Sequence, residues 1–128
     1  GVSIDSQFSH NAWRNTAVEN GGIGEVGYAL VADVKHDICQ AYDVEHPEAG
    51  VAFRASFLID EDGLVRHQVV NDLPLGRNID EMLRMVDALN FHQEHGEVCP
   101  AGWEEGKKGM DASPEGVASY LSENAEGL

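Results

Sequence analysis

The chain has 128 residues, 42% of them hydrophobic, which suits one soluble globular domain with a core of its own. Its formal charge of −15 and its pI near 4.5 argue against nucleic-acid binding, because phosphates would be repelled. No apolar run approaches the roughly 18 residues of a membrane span, and no secretory signal pattern opens the chain, so we expect a cytoplasmic protein. The acidic residues are spread along the sequence and predict a solvated surface, with an acidic docking face as the alternative.

The first elements are predicted from short local patterns. The β-branched run Val2–Ile4 predicts the end of a strand, and Ser6 or Ser9 can cap the helix that follows. The breaker-rich segment 20–24 predicts a loop. Because the chain opens on Gly1 at what reads as a strand end, we expect it to be cut within a domain.

The middle of the chain predicts a strand, a short helix and a hairpin. The apolar run 28–32 predicts a buried strand, and apolar residues at helical spacing between 34 and 42 predict a helix. Two strand-like runs at 53–59 and 64–70 flank a turn that contains Gly63, so they predict a β-hairpin.

The clearest predicted element is a helix over 78–93. Asn78 and Glu81 form a start similar to a capping box, and apolar residues follow on one stripe: Ile79, Met82, Leu83, Val86 and Leu89. After Gly96 no periodicity remains, which predicts a loosely held tail. The order of elements predicts an α/β fold with a parallel part and an antiparallel edge, divided into residues 1–93 and a tail of residues 94–128.

Two cysteines are too few for a secreted disulfide scaffold, and neither lies in a C-x-x-C or C-x-x-H spacing, so no metal site is predicted. Cys39 lies on a predicted helix face, where a free cysteine packs as a small hydrophobe. Cys99 follows the long helix in a segment rich in Gly and Pro, which can present its thiol on a mobile tail. The alternative is an incidental tail cysteine. His92 and His95 predict a solvated helix end rather than metal ligands.

Two arginines are candidate functional residues. Arg54 lies in an apolar strand between Phe53 and Ala55, and a buried guanidinium requires an anionic partner. Residue patterns alone therefore favour a structural salt bridge for Arg54. Arg77 lies just before the long helix, where residue patterns alone predict an exposed cation.

Three motifs occur together in a fixed order: residues 50–57 (GVAFRASF), residues 71–77 (NDLPLGR) and residues 95–103 (HGEVCPAGW). They resemble the C-terminal part of a typical 2-Cys peroxiredoxin of the alkyl hydroperoxide reductase C type. The resemblance runs from Val2 to about Trp103 and more weakly to Leu121. It implies a thioredoxin-like fold, a mixed sheet flanked by helices, of which the N-terminal part with the peroxidatic cysteine would precede Gly1.

The resemblance also implies three catalytic residues. Cys99 matches the resolving cysteine, which attacks the sulfenic acid formed on the partner subunit. Arg54 matches the arginine beside the peroxidatic sulfur, and Arg77 matches a second arginine near that pocket. Two further stretches, 21–24 (GGIG) and 120–121 (YL), resemble the family motifs that slow the resolving step and so sensitise the enzyme to overoxidation.

The function implied is a thiol peroxidase that reduces hydrogen peroxide and alkyl hydroperoxides without a metal or organic cofactor. Implied partners are a second copy in a homodimer, joined by a disulfide through Cys99 and able to build a decamer, and thioredoxin or a flavoprotein disulfide reductase. The present chain alone is expected to be inactive. The alternative is a non-catalytic scaffold or interaction module derived from a peroxiredoxin, which the sequence upstream of Gly1 would distinguish.

Overall fold

The structure, a computed structural model, describes residues 1–125. Its elements in chain order are β1 (Val2–Ser3), α1 (Gln7–Arg14), a 3₁₀ turn (Val18–Asn20), β2 (Val31–Ala32), α2 (Asp37–Ala41), β3 (Arg54–Ile59), β4 (Val65–Asn71), α3 (Ile79–His95) and α4 (Pro114–Asn124). They form two compact units: Gly1–Ala55 with Val70–Gly76, and Ser56–Val69 with Arg77–Leu128. The predicted division at residue 93 stays a prediction.

In the first unit, β1 pairs in parallel with β2, with Val2 opposite Val31. Ser6 caps α1 by accepting the Ser9 N–H at 3.2 Å, which confirms one of the two predicted caps. The prediction of a buried strand over 28–32 is wrong, because only two residues are in strand and Tyr28 and Val31 are 58% and 42% exposed. The ladder is this short because β1 offers only two residues for pairing.

The predicted helix over 34–42 is confirmed but shorter. The Asp33 carboxylate accepts the N–H groups of Ile38 at 3.0 Å and Cys39 at 2.8 Å, and it thereby fixes the first turn of α2. Val34 is exposed and precedes the helix. Cys39 is buried, as its position on an apolar helix face predicts.

The hairpin of β3 and β4 is confirmed with its ends shifted by one residue. Its turn closes through the Asp60 N–H, which donates to the Leu64 carbonyl at 3.0 Å. Gly63 adopts φ 80°, a left-handed conformation that glycine reaches without the cost of a Cβ.

Helix α3 is confirmed. Asn78 caps it by accepting the Glu81 N–H at 3.1 Å, and Gly96 ends it with φ 72°. The Glu81 carboxylate binds Arg84 instead of returning to the cap, so only half of the predicted capping box forms. Within residues 1–125 nothing covers much of the predicted apolar stripe, whose exposed members are Ile79, Leu83 and Val86.

The prediction that no regular structure follows Gly96 is wrong. Ser113 accepts the Gly116 N–H at 3.0 Å, and α4 begins at Pro114. A serine followed by proline is a helix-start signal, but the weak apolar pattern behind it concealed the helix. Among the helices described, none has both the length and the apolar character to span a bilayer.

Candidate functional site

Cys99 lies just beyond α3 in the second unit and is half-buried. Its thiol donates to the Ala88 carbonyl at 3.6 Å. Beside it is a cavity of about 260 Å³ whose apolar lining includes Leu58, Met85 and Leu89. Burial raises the pKa of the Cys99 thiol, and the nearby positive charge of Arg84 offsets part of that rise. In this position the thiol is mostly protonated at neutral pH, so only a small fraction is present as the reactive thiolate.

The segment around Cys99 is held by hydrogen bonds and packing in the structure, and the mobility predicted for this tail stays a prediction. Val98 and Met110 exchange two backbone hydrogen bonds of 2.9 Å each. Trp103 is only 2% exposed, and its ring centroid lies 4.9 Å from that of Phe91 on α3. The Trp103 indole also donates to the Lys107 carbonyl at 3.0 Å. An aromatic side chain of this size contributes much of the buried area of the segment.

Arg84 connects this segment to α3. Its Nε and Nη2 atoms donate to the Glu81 carboxylate at 2.6 and 2.7 Å, and its Nη1 donates to the Trp103 carbonyl at 2.7 Å. The hydrogen bonds from Arg84 lower the pKa of Glu81, so the carboxylate stays ionised. Sequence reasoning missed this contact, although the i, i+3 spacing of Glu81 and Arg84 was a usable signal for the pair.

Replacing Trp103 with alanine should increase the alkylation rate of Cys99 by about tenfold or more. Removing the side chain of so buried an aromatic residue lowers the free energy of unfolding by about 3–5 kcal/mol. Much of that loss comes from the contacts that hold the Cys99 segment. The measurement is peptide-level mass spectrometry of the 128-residue chain during iodoacetamide labelling. Trp13→Ala is the matched control, because Trp13 is 45% exposed and belongs to the first unit. An unchanged Cys99 rate, or an equal rise at Cys39, would contradict the proposed anchoring.

Arg54, at the start of β3 in the first unit, differs from its prediction. It is exposed rather than buried, and within residues 1–125 no carboxylate forms an ion pair with it. Its Nε donates to the Leu73 carbonyl at 3.4 Å. The structural salt bridge that residue patterns favour is therefore not formed, and the guanidinium is available to an anionic or electron-rich ligand.

Arg77 belongs to the second unit and is exposed, as residue patterns predict. Its Nη1 donates to the Ser56 hydroxyl at 3.3 Å. This bond helps to orient the side chain. Cys99 lies in the same unit, whereas Arg54 lies in the other.

The remaining candidates behave as structural residues. Burial, followed by the charges of Glu45 and Asp33, raises the pKa of the Cys39 thiol, which argues against a reactive thiolate. The Nδ1–H of His92, at the end of α3, donates to the Glu97 carbonyl at 2.8 Å. The loop predicted over 20–24 is confirmed except for Asn20, which ends the 3₁₀ turn, and a Cβ at Gly22 would collide with the Thr16 carbonyl.

Comparison with known proteins identifies the family. The model of the AhpC/TSA family matches residues 1–68, and the model of the C-terminal domain of 1-Cys peroxiredoxin matches residues 88–123. The chain belongs to the AhpC/TSA family. The resemblance to a 2-Cys peroxiredoxin of the alkyl hydroperoxide reductase C type is thereby confirmed.

Curated relatives of this AhpC/TSA chain include two alkyl hydroperoxide reductases C. The protein of Buchnera aphidicola subsp. Schizaphis graminum is 64% identical over 121 residues, which are 94% of this chain and 61% of the relative. That of Helicobacter pylori strain J99 is 62% identical over 125 residues, 98% of this chain and 63% of the relative. The chain thus spans about three fifths of the length of these relatives.

Solved structures confirm the thioredoxin-like peroxiredoxin fold. The reduced 2-Cys peroxiredoxin of Plasmodium vivax superposes with a TM-score of 0.91 at 45% identity, over 95% of this chain and 63% of that protein. An N-terminally modified Prx1a of Plasmodium yoelii, described as an artifactual octamer, gives a TM-score of 0.68 at 48% identity over 82% of this chain and 60% of its own.

Proposed function

We propose that the protein containing this chain is a thiol peroxidase that reduces hydrogen peroxide and alkyl hydroperoxides. The observation that carries the proposal is the 64% identity to an alkyl hydroperoxide reductase C across nearly the whole chain. An exposed Arg54 without a carboxylate partner in the described residues, and a half-buried thiol at Cys99, supply groups that this chemistry needs.

In the first step a peroxidatic thiolate attacks the O–O bond of the peroxide. Its sulfur becomes a sulfenic acid, and an alcohol or water leaves. Arg54 hydrogen-bonds the peroxide oxygens as negative charge develops on the leaving oxygen, and Arg77 is proposed, from the family resemblance alone, as a second catalytic arginine. Arg54 suits this task because, within residues 1–125, no ion pair must break before its guanidinium can bind. Burial raises the pKa of both thiols of this chain, Cys39 and Cys99, which makes either one a poor peroxidatic nucleophile.

In the second step Cys99 resolves the sulfenic acid. Its thiolate attacks the sulfenic sulfur of the partner subunit, forms a disulfide and releases water. Backbone hydrogen bonds between Val98 and Met110 and the burial of Trp103 hold this segment in place. We therefore infer that the resolving step includes local release of the segment from α3. The hydrogen bond from Arg84 to the Trp103 carbonyl and the packing of Trp103 on Phe91 oppose that release.

The remaining partners follow from the same proposal. A disulfide between Cys99 and a partner subunit requires at least a homodimer, and a decamer is the larger assembly proposed. Thioredoxin or a flavoprotein disulfide reductase would reduce that disulfide, since a closed cycle needs an external dithiol. A cytoplasmic location fits a cycle that begins from reduced thiols.

The test is a peroxide-consumption assay on a chimera in which residues 1–128 replace the aligned region of the Buchnera aphidicola subsp. Schizaphis graminum relative. We expect the chimera to consume peroxide in the presence of a dithiol, and the 128-residue chain alone to be inactive. The intact relative is the positive control. A folded chimera without activity would favour a non-catalytic scaffold or interaction module. Turnover by the chain alone would make Cys39 or Cys99 the peroxidatic residue.

A further inference from the structure

His36, Cys39 and Glu45 form a cluster of three different metal-binding side chains in the first unit. One donor atom of each, His36 Nδ1, Cys39 Sγ and a Glu45 carboxylate oxygen, lies within 4.8 Å of the other two. It is the one such group found among residues 1–125. His36 Nδ1 and Glu45 Oε1 are already in direct hydrogen-bond contact. We propose that these three residues bind a divalent cation of zinc type, a function independent of the peroxidase chemistry.

The ligand set suits Zn²⁺ among the common biological cations. One imidazole, one thiolate and one carboxylate are its usual protein ligands, and a water molecule can complete a tetrahedral site. Tetrahedral zinc distances place such donor atoms about 3.3–3.6 Å apart, so on binding Sγ would move inward while His36 Nδ1 and Glu45 Oε1 would move apart. A cation would replace the direct hydrogen bond between His36 Nδ1 and Glu45 Oε1.

The backbone holds each ligand before any cation binds. His36 and Cys39 flank the first turn of α2, three residues apart, and Asp33 fixes that turn by accepting the Cys39 N–H at 2.8 Å. Glu45 is in a β-bridge with Ala52, which fixes its backbone. Gln40 Nε2 donates to Glu45 Oε2 at 2.8 Å, so Oε1 is left to face His36. Supporting contacts of this kind orient metal ligands and raise affinity.

The charges of the cluster also favour a cation. The Cys39 thiol lies within 4.8 Å of a Glu45 carboxylate oxygen, and the Asp33 carboxylate accepts the Cys39 N–H at 2.8 Å. Coordination of Zn²⁺ would release the thiol proton to solvent, and one thiolate with one carboxylate would neutralise the cation. The side chains of His36 and Glu45 are 26% and 24% exposed, which provides an entry path to the buried sulfur.

The competing interpretation is a His36–Glu45 ion pair above a cysteine that only fills the core. Titration of the reduced 128-residue chain with Co²⁺ separates the two. We expect one Co²⁺ per chain, with a thiolate-to-cobalt charge-transfer band and the ligand-field bands of a tetrahedral site, and we expect Zn²⁺ to abolish these bands by displacement.

Variants assign the signal to the cluster. Cys39→Ser should remove the charge-transfer band, and Glu45→Gln, which leaves the core intact, should weaken Co²⁺ binding by about tenfold or more. Cys99→Ser is the matched control and should keep the full signal. Zn²⁺ should raise the Tm of the parent chain but not that of Cys39→Ser. The proposal is overturned if no tetrahedral signal appears, if the signal survives in Cys39→Ser or in Glu45→Gln at unchanged affinity, or if it disappears in Cys99→Ser.

Discussion

Arg54→Ala should slow the reaction of the chimera with peroxide by two or more orders of magnitude. Losing one preorganised donor at a developing negative charge costs about 2.7–4 kcal/mol of transition-state stabilisation. Arg54 has only a 3.4 Å bond to the Leu73 carbonyl, so its removal breaks no ion pair among residues 1–125, and stability should change little. The measurement is the rate of peroxidatic thiol oxidation in single turnover, by stopped flow.

Two further variants define what Arg54 contributes. Arg54→Lys should recover little of the lost rate, because an ammonium group cannot reproduce the planar donor fork of a guanidinium. Arg14→Ala is the matched control: Arg14 also donates to a backbone carbonyl, that of Val26 at 3.2 Å, and should leave the rate unchanged. A near-normal rate in Arg54→Ala would show that Arg54 has no catalytic role.

Cys99→Ser should abolish the disulfide-linked dimer of the chimera after peroxide treatment. The first equivalent of peroxide should still be consumed at the parent rate, because the attack on the O–O bond does not involve Cys99. Turnover with a dithiol should then depend on direct reduction of the sulfenic acid. Non-reducing electrophoresis measures the dimer, and Cys39→Ser is the control that should still form it. A dimer that persists in Cys99→Ser and is lost in Cys39→Ser would transfer the resolving role to Cys39.

Local signals were sufficient for the elements whose ends are fixed by a few residues. Asn78 and Gly96 mark the ends of α3, and Gly63 marks the hairpin turn, because caps and left-handed glycines act within one turn of the chain. The exposure of Tyr28 and the ion-pair status of Arg54 could not be predicted, because both depend on what packs against a strand from elsewhere in the chain.

The candidate sites, too, were predictable where a local motif carries the signal and not where tertiary contacts decide the arrangement. The role of Cys99 was implied by its motif, but its anchoring by Trp103 depends on tertiary contacts with Arg84 and Phe91. The cation cluster was missed although His36-x-x-Cys39 is a ligand spacing. Its third ligand lies beyond α2 and reaches the other two through a chain that turns at Asp43, where φ is 54°. A left-handed aspartate is not predicted by any local pattern of apolar residues.

The most direct test of the account is to find the partner of Cys99 after oxidation. The chimera is treated with one equivalent of peroxide in the absence of a reductant, free thiols are alkylated, and disulfide-linked peptides are identified by mass spectrometry. The account predicts a disulfide between the Cys99 peptide and the peroxidatic cysteine that the Buchnera relative contributes. Recovery of Cys99 in its alkylated form, while the peroxidatic cysteine is oxidised, would contradict it.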